Sequence, residues 1–126
     1  MKKQVQVLVA DDEPYILRSL TFVLQKEGYS YAVARDGLET IAKARELHPA
    51  VLFLDIMMPK KSGFDVCKEV KADPTLRKTH IIMLTAKGQE DDKDRGLASG
   101  TDEYMTKPFS PRHVVSRLKE LLGGPR

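Results

Sequence analysis

The chain has 126 residues, 41% of them apolar and 31% charged, enough for one domain with a real core and too few for two ordinary ones. Its net charge of +3 comes from interleaved acids and bases. Pairs such as Lys2-Lys3, Lys60-Lys61 and Arg77-Lys78 are too short and too poor in aromatic neighbours to form a nucleic-acid track, so direct DNA or RNA binding is not expected. Cys67 is the only cysteine, which excludes an internal disulfide. No apolar run approaches the roughly 20 residues that span a bilayer, and Met1-Lys2-Lys3-Gln4 leads into no signal-peptide core, so a cytoplasmic protein without membrane contact is expected.

Strand and helix signals alternate along the chain. Val5 to Ala10 reads as a first strand, and Pro14 suits the first turn of a helix bearing Ile16, Leu17, Leu20, Val23 and Leu24 until Gly28 stops it. Tyr29 to Ala34 reads as a second strand. Asp36-Gly37 opens a helix carrying Leu38, Ile41, Ala42 and Leu47, and His48-Pro49 closes it before the strand Val51 to Leu54. A loop from Met57 to Lys61 contains Pro59. Ser62, with Asp65 three residues on, caps a helix of Phe64, Val66, Cys67 and Val70, where Cys67 reads as a buried inert thiol. Asp73-Pro74 ends that helix, and His80 to Leu84 is a fourth strand. The stretch Gln89 to Gly100 is a helix with little core content beyond Leu97 and Ala98, and Asp102 to Thr106 is a short strand. Ser110-Pro111 starts a last helix with Val114, Val115, Leu118, Leu121 and Leu122 on one face. Residues 1–122 thus form the expected domain, with 123–126 a tail or the start of a linker. The alternation implies parallel strands joined by right-handed crossovers, with helices on both faces.

Four of the apolar runs stop at residues able to do phosphate chemistry. Val7 to Ala10 ends at Asp11-Asp12, Val51 to Leu54 at Asp55, Ile81 to Leu84 at Thr85, and Tyr104 to Thr106 at Lys107-Pro108. In open α/β sheets the ligand crevice lies at the carboxyl ends of the strands, so three carboxylates, a hydroxyl and an ammonium should meet on one edge. Two like charges 4 Å apart repel by about 1 kcal/mol in water and about 4 kcal/mol at an effective dielectric of 20, so the acids need neutralising partners. Hard oxygen ligands without His or Cys favour Mg²⁺ or Mn²⁺. A divalent cation together with Lys107 would balance Asp11, Asp12 and Asp55, and a site of that kind is suited to receiving a phosphoryl group.

The segments Val9-Ala10-Asp11-Asp12-Glu13-Pro14, Asp55-Ile56-Met57-Met58-Pro59 with Ser62-Gly63, Leu84-Thr85-Ala86 and Lys107-Pro108-Phe109 resemble, in order and spacing, the receiver domain of bacterial two-component response regulators. The resemblance covers essentially the whole chain. It implies a flavodoxin-like (βα)5 fold, a doubly wound five-stranded parallel sheet in the order 2-1-3-4-5. It implies that Asp55 is the phosphoacceptor, taking the phosphoryl group of a phosphohistidine on a sensor histidine kinase or phosphotransfer protein. Mg²⁺ would be held by Asp12, Asp55 and the backbone carbonyl of Met57, with Asp11 acting through water. Thr85, Ala86 and Lys107 would bind the phosphoryl oxygens, the Lys107-Pro108 bond would be cis, and Tyr104 would rotate as Thr85 moves inward. Met57 and Lys87 would, by the same resemblance, occupy positions that tune dephosphorylation in the family.

The stretch Lys107-Pro108-Phe109-Ser110-Pro111-Arg112 further resembles receivers of winged-helix transcription factors. Those dimerise through the face formed by the helix at 89–100, the last strand and the last helix, where Lys93, Asp102 and Arg117 match charged positions. A domain of this kind is a signalling switch that catalyses only its own phosphorylation and slow dephosphorylation. Two other readings compete. A Mg²⁺-dependent phosphatase of the haloacid dehalogenase type would carry an aspartate two residues after its nucleophile, where this chain has Met57, and the chain has no room for a substrate cap. A receiver-like binding module that is never phosphorylated would not need Asp12, Asp55 and Lys107 together.

Overall fold

The computed structural model describes residues 5–86 and 100–123. In chain order its elements are β1 (Val7–Ala10), α1 (Pro14–Lys26), β2 (Tyr31–Ala34), α2 (Gly37–Leu47), β3 (Val51–Asp55), α3 (Gly63–Ala72), β4 (His80–Ala86), β5 (Glu103–Lys107) and α4 (Pro111–Leu122). The strands form one parallel sheet in the order β2-β1-β3-β4-β5, as the sequence implied. Residues 89–99 of the expected 89–100 helix, Lys93 among them, lie outside the described residues, as does Lys87.

The two faces of the sheet follow from the period-2 alternation of side chains along a strand. Leu8, Ala10, Leu52, Leu54, Ile81 and Met83 pack with Ile41 and Ala44 of α2 and with Phe64, Val66, Cys67 and Val70 of α3. Their neighbours Val7, Val9, Val51, Phe53, Ile82 and Leu84 pack with Ile16, Leu20 and Leu24 of α1 and Val114 and Leu118 of α4. Both sets are buried, which is why these strands read as continuous apolar runs instead of alternating ones.

Helix ends match their local chemistry. Asp36 accepts the Glu39 N–H at 2.7 Å and Ser62 accepts the Asp65 N–H at 3.2 Å, each satisfying an amide that the first helical turn leaves unpaired. Gly28 (φ 82°) follows α1 and Gly123 (φ 76°) follows α4, both in the left-handed region where a side chain is strained. Ser110 precedes α4 without a side-chain capping bond, so Pro111 in the first turn marks that start instead.

Strand limits shift by one or two residues from expectation. The first begins at Val7 and the second at Tyr31, because the Tyr29 amide bonds the Leu24 carbonyl at 3.0 Å and so closes the end of α1. β4 runs on to Ala86, and β5 covers Glu103–Lys107, because the pairing continues through Thr85↔Thr106 and Ala86↔Lys107. Thus Lys107 is the last residue of a strand.

Candidate functional site

The register brings the chemistry together. Ala10 pairs with Leu54, so Asp11 follows β1 beside Asp55 at the end of β3. Continuing the alternation, Asp11, Asp55 and Lys107 share the parity of Val9, Phe53 and Met105, all of which face the α1 side. Adjacent strands lie about 4.8 Å apart, so β5 is about 10 Å from β3, with β4 between them. A lysine is long enough to cross the end of β4, and Lys107 does so. Its Nζ lies 2.9 Å from Asp11 Oδ2, 2.9 Å from Glu13 Oε1 and 3.2 Å from Asp55 Oδ1.

Asp11, Asp12 and Asp55 each offer a carboxylate oxygen, and these oxygens lie within 4.8 Å of one another. Asp11 is fully buried and Asp55 nearly so, while Asp12 faces solvent. The Glu13 amide donates to Asp11 Oδ1 at 2.9 Å. Asp11 Oδ2 is at ion-pair distance from Lys107 but makes no hydrogen bond among the described residues. A buried carboxylate oxygen left in that condition, beside two further carboxylates, fits a hard cation.

Burial pushes the Asp55 carboxyl up to about 6, and the charge of Asp11 adds to it; Lys107 and the Met57 amide offset only part. Asp11 is raised too, first by burial. Glu13 is held below its ordinary range by Lys107, with a smaller contribution from the Tyr15 hydroxyl. Burial alone would lower Lys107, but Asp11, Glu13 and Asp55 more than reverse that and keep it fully charged. The bare site is therefore short of positive charge around Asp55.

The other residues singled out from sequence fall around this cluster. Thr85 is buried near the end of β4, the strand beside Asp55, and Ala86 pairs with Lys107 in the ladder. Tyr104 is half-buried against the α2–α3 core, and by register and alternation it lies on the same face of the sheet as Thr85. The Met57 side chain is 69% exposed in the loop after β3. The Lys107-Pro108 peptide bond is cis.

A backbone detail fixes the phosphoacceptor candidate in place. The Gly63 amide donates to the Ile56 carbonyl at 2.8 Å, and a Cβ on Gly63 would lie 2.3 Å from the Asp55 carbonyl oxygen. Only glycine lets the start of α3 come this close to the end of β3.

Two charged positions matched to a partner face are engaged within the chain. Asp102 Oδ2 accepts from Lys71 Nζ at 2.7 Å and from the Ile81 amide at 2.8 Å. Arg117 donates to Glu103 twice, at 3.0 and 2.6 Å, and His80 Nε2 lies 2.6 Å from the same carboxylate. Sequence reasoning passed over Glu13, the third acid on Lys107. Its signal was present: it stands two residues after Asp11, on the same parity, but an acid before a helix start reads as an ordinary cap.

Comparison with known proteins identifies the family. The family model for the response regulator receiver domain matches residues 7–119. The transcriptional regulatory protein ResD of Bacillus subtilis is 44% identical over 119 residues, 94% of this chain and 48% of that protein. The chain therefore spans about half the length of such a curated relative. Among solved structures, a putative response regulator from Chloroflexus aurantiacus superposes with a TM-score of 0.88 at 32% identity, covering 96% of this chain and 99% of that one. The chemotaxis response regulator CheY4 of Vibrio cholerae gives 0.85 at 33% identity, covering 94% and 99%. With its sheet order, its strand-end acids and these matches in agreement, the chain belongs to the response regulator receiver domain family.

Proposed function

We propose that this domain works as a phosphorylation switch in a two-component system, with Asp55 as the phosphoacceptor. The observation that carries the reading is the convergence of Asp11, Asp12, Asp55 and Lys107 at one strand edge. Asp12, Asp55 and the backbone carbonyl of Met57 would hold Mg²⁺ or Mn²⁺, with Asp11 contributing through water. When bound, that ion neutralises the oxygens of the incoming phosphoryl group, which a carboxylate could otherwise not approach. Lys107 supplies the second positive charge, and Thr85 with the backbone at Ala86 takes the remaining phosphoryl oxygens. Asp55 attacks phosphorus in line, the donor leaves with the bonding electrons, and an aspartyl phosphate results.

The donor is a phosphohistidine on a sensor histidine kinase or phosphotransfer protein in the cytoplasm. Thr85 and Tyr104 transmit the change, since they share one face of the sheet on adjacent strands. The partner or second copy then binds the face that carries β5 and α4. Asp102 and Arg117 are held inside the chain, so they shape that face by fixing its backbone, and a partner must compete for them.

Intact-mass measurement tests the reading. Incubated with Mg²⁺ and acetyl phosphate, the protein gains one acid-stable, base-labile phosphoryl group, and Asp55→Ala gains none. Turnover of many unrelated phosphoesters would point instead to a phosphatase. No modification under any condition would point to a module that only binds.

A further inference from the structure

Lys107 has three donors, and in the resting protein three carboxylates surround it. Two of them, Asp11 and Asp55, belong to the strand-edge cluster. The third, Glu13, belongs to no proposed metal or phosphoryl contact. Its side chain is 40% exposed, against 0% for Asp11 and 8% for Asp55, so it stands at the open side of the cluster. Glu13 Oε1 and Asp55 Oδ1 lie 2.9 and 3.2 Å from one nitrogen, so they are no more than 6.1 Å apart.

Charge counting gives this position a consequence. Asp11, Asp12, Glu13 and Asp55 carry four negative charges against one on Lys107. A divalent cation still leaves the site one charge negative, and that last charge corresponds to Glu13. An anionic phosphodonor must approach Asp55 against it. The separation is inside the Debye length at physiological salt, so the interaction is felt.

Resting on the reading of Asp55 as phosphoacceptor, we propose that Glu13 determines donor specificity: its charge strengthens the hold on the divalent cation while repelling small free phosphodonors. A phosphoryl group delivered by a docked protein overcomes the same repulsion with its docking contacts, so Glu13 biases the site toward protein donors. The reaction itself is unchanged. An Asp55 carboxylate oxygen forms the bond to phosphorus, the P–O bond of acetyl phosphate breaks, and acetate leaves with the electron pair. With phosphoramidate the P–N bond breaks and ammonia leaves.

Glu13→Gln keeps the shape and removes the charge. At saturating Mg²⁺ and low salt, the rate of phosphorylation by dianionic acetyl phosphate should rise about threefold to tenfold. The rate with phosphoramidate, whose net charge is half as large, should rise only about two- to threefold. Both gains should shrink as salt is raised. Binding of Mg²⁺ alone, followed by calorimetry, should weaken about threefold to tenfold in the same variant. Glu13→Asp, which retains the charge, should show smaller changes in both.

The opposed signs are decisive, because a merely disturbed site would lose metal affinity and rate together. Equal effects on both donors, a gain that persists at high salt, or unchanged Mg²⁺ affinity would each overturn the assignment. If the wild-type protein takes no phosphoryl group at all, the reading of Asp55 fails first. If it does and Glu13→Gln behaves like it, only the role of Glu13 fails.

Discussion

Replacing Asp55 by asparagine should stabilise the metal-free protein, and the gain should depend on pH in a defined way. In the fold, burial and the Asp11 charge raise this carboxyl from its ordinary 3.8 to about 6. A raised acid favours the folded state in its protonated form. That contribution is full below pH 4 and is lost as pH rises through 6, so above 6 the ionised side chain costs stability. Two pKa units correspond to about 3 kcal/mol. The side-chain amide of the Asp55→Asn variant cannot ionise and escapes the cost, while Lys107 keeps Asp11 and Glu13 as partners. Urea unfolding in EDTA at pH 7.5 should therefore show Asp55→Asn more stable than wild type by about 2–3 kcal/mol, shrinking to a few tenths near pH 4. Adding Mg²⁺ should stabilise the wild type far more than the variant and narrow or reverse the gap. A variant no more stable than wild type at pH 7.5, or an advantage that does not change with pH, would refute the charge-crowding argument.

Two further outcomes follow from packing. Gly63→Ala forces a methyl against the Asp55 carbonyl, so it should cost about 1–3 kcal/mol in urea unfolding. It should also slow phosphorylation by roughly tenfold to hundredfold, because the carboxylate is displaced; an unchanged rate would mean the loop gives way without moving Asp55. Tyr29→Phe removes a buried hydroxyl that has no hydrogen-bond partner among the described residues. It should stabilise the protein by about 1 kcal/mol and leave phosphorylation untouched, and a loss of more than that would reveal a partner for the hydroxyl.

The fold was legible because each strand announces itself twice, by an apolar run and by the polar residue that ends it. Val51 to Leu54 is buried on both sides and could only be an inner strand, and Asp55 then had to stand at its carboxyl end. Helix limits followed from local chemistry, as at Asp36, Ser62 and Gly28. Contacts between distant segments carried no such signature. Nothing in the composition around Lys71 says that it will reach Asp102, or that Glu103 will gather His80 and Arg117. In the sequence Asp102 and Arg117 are legible only as charged positions matched to a partner face, because their intrachain partners come from other elements. Glu13 was hidden for the opposite reason: its place beside a helix start offered a sufficient local explanation, and the contact 94 residues away at Lys107 was invisible.

The pairing of Ala86 with Lys107 has a mechanical consequence. Were β5 to slide along β4 by a single step, Thr106 would come to the acidic cluster and the ammonium would be carried to the opposite side of the molecule. Sliding is thus closed to this edge as a way of changing state. Whatever motion accompanies signalling keeps this pairing, and the β4–β5 edge serves as a fixed anvil beneath it.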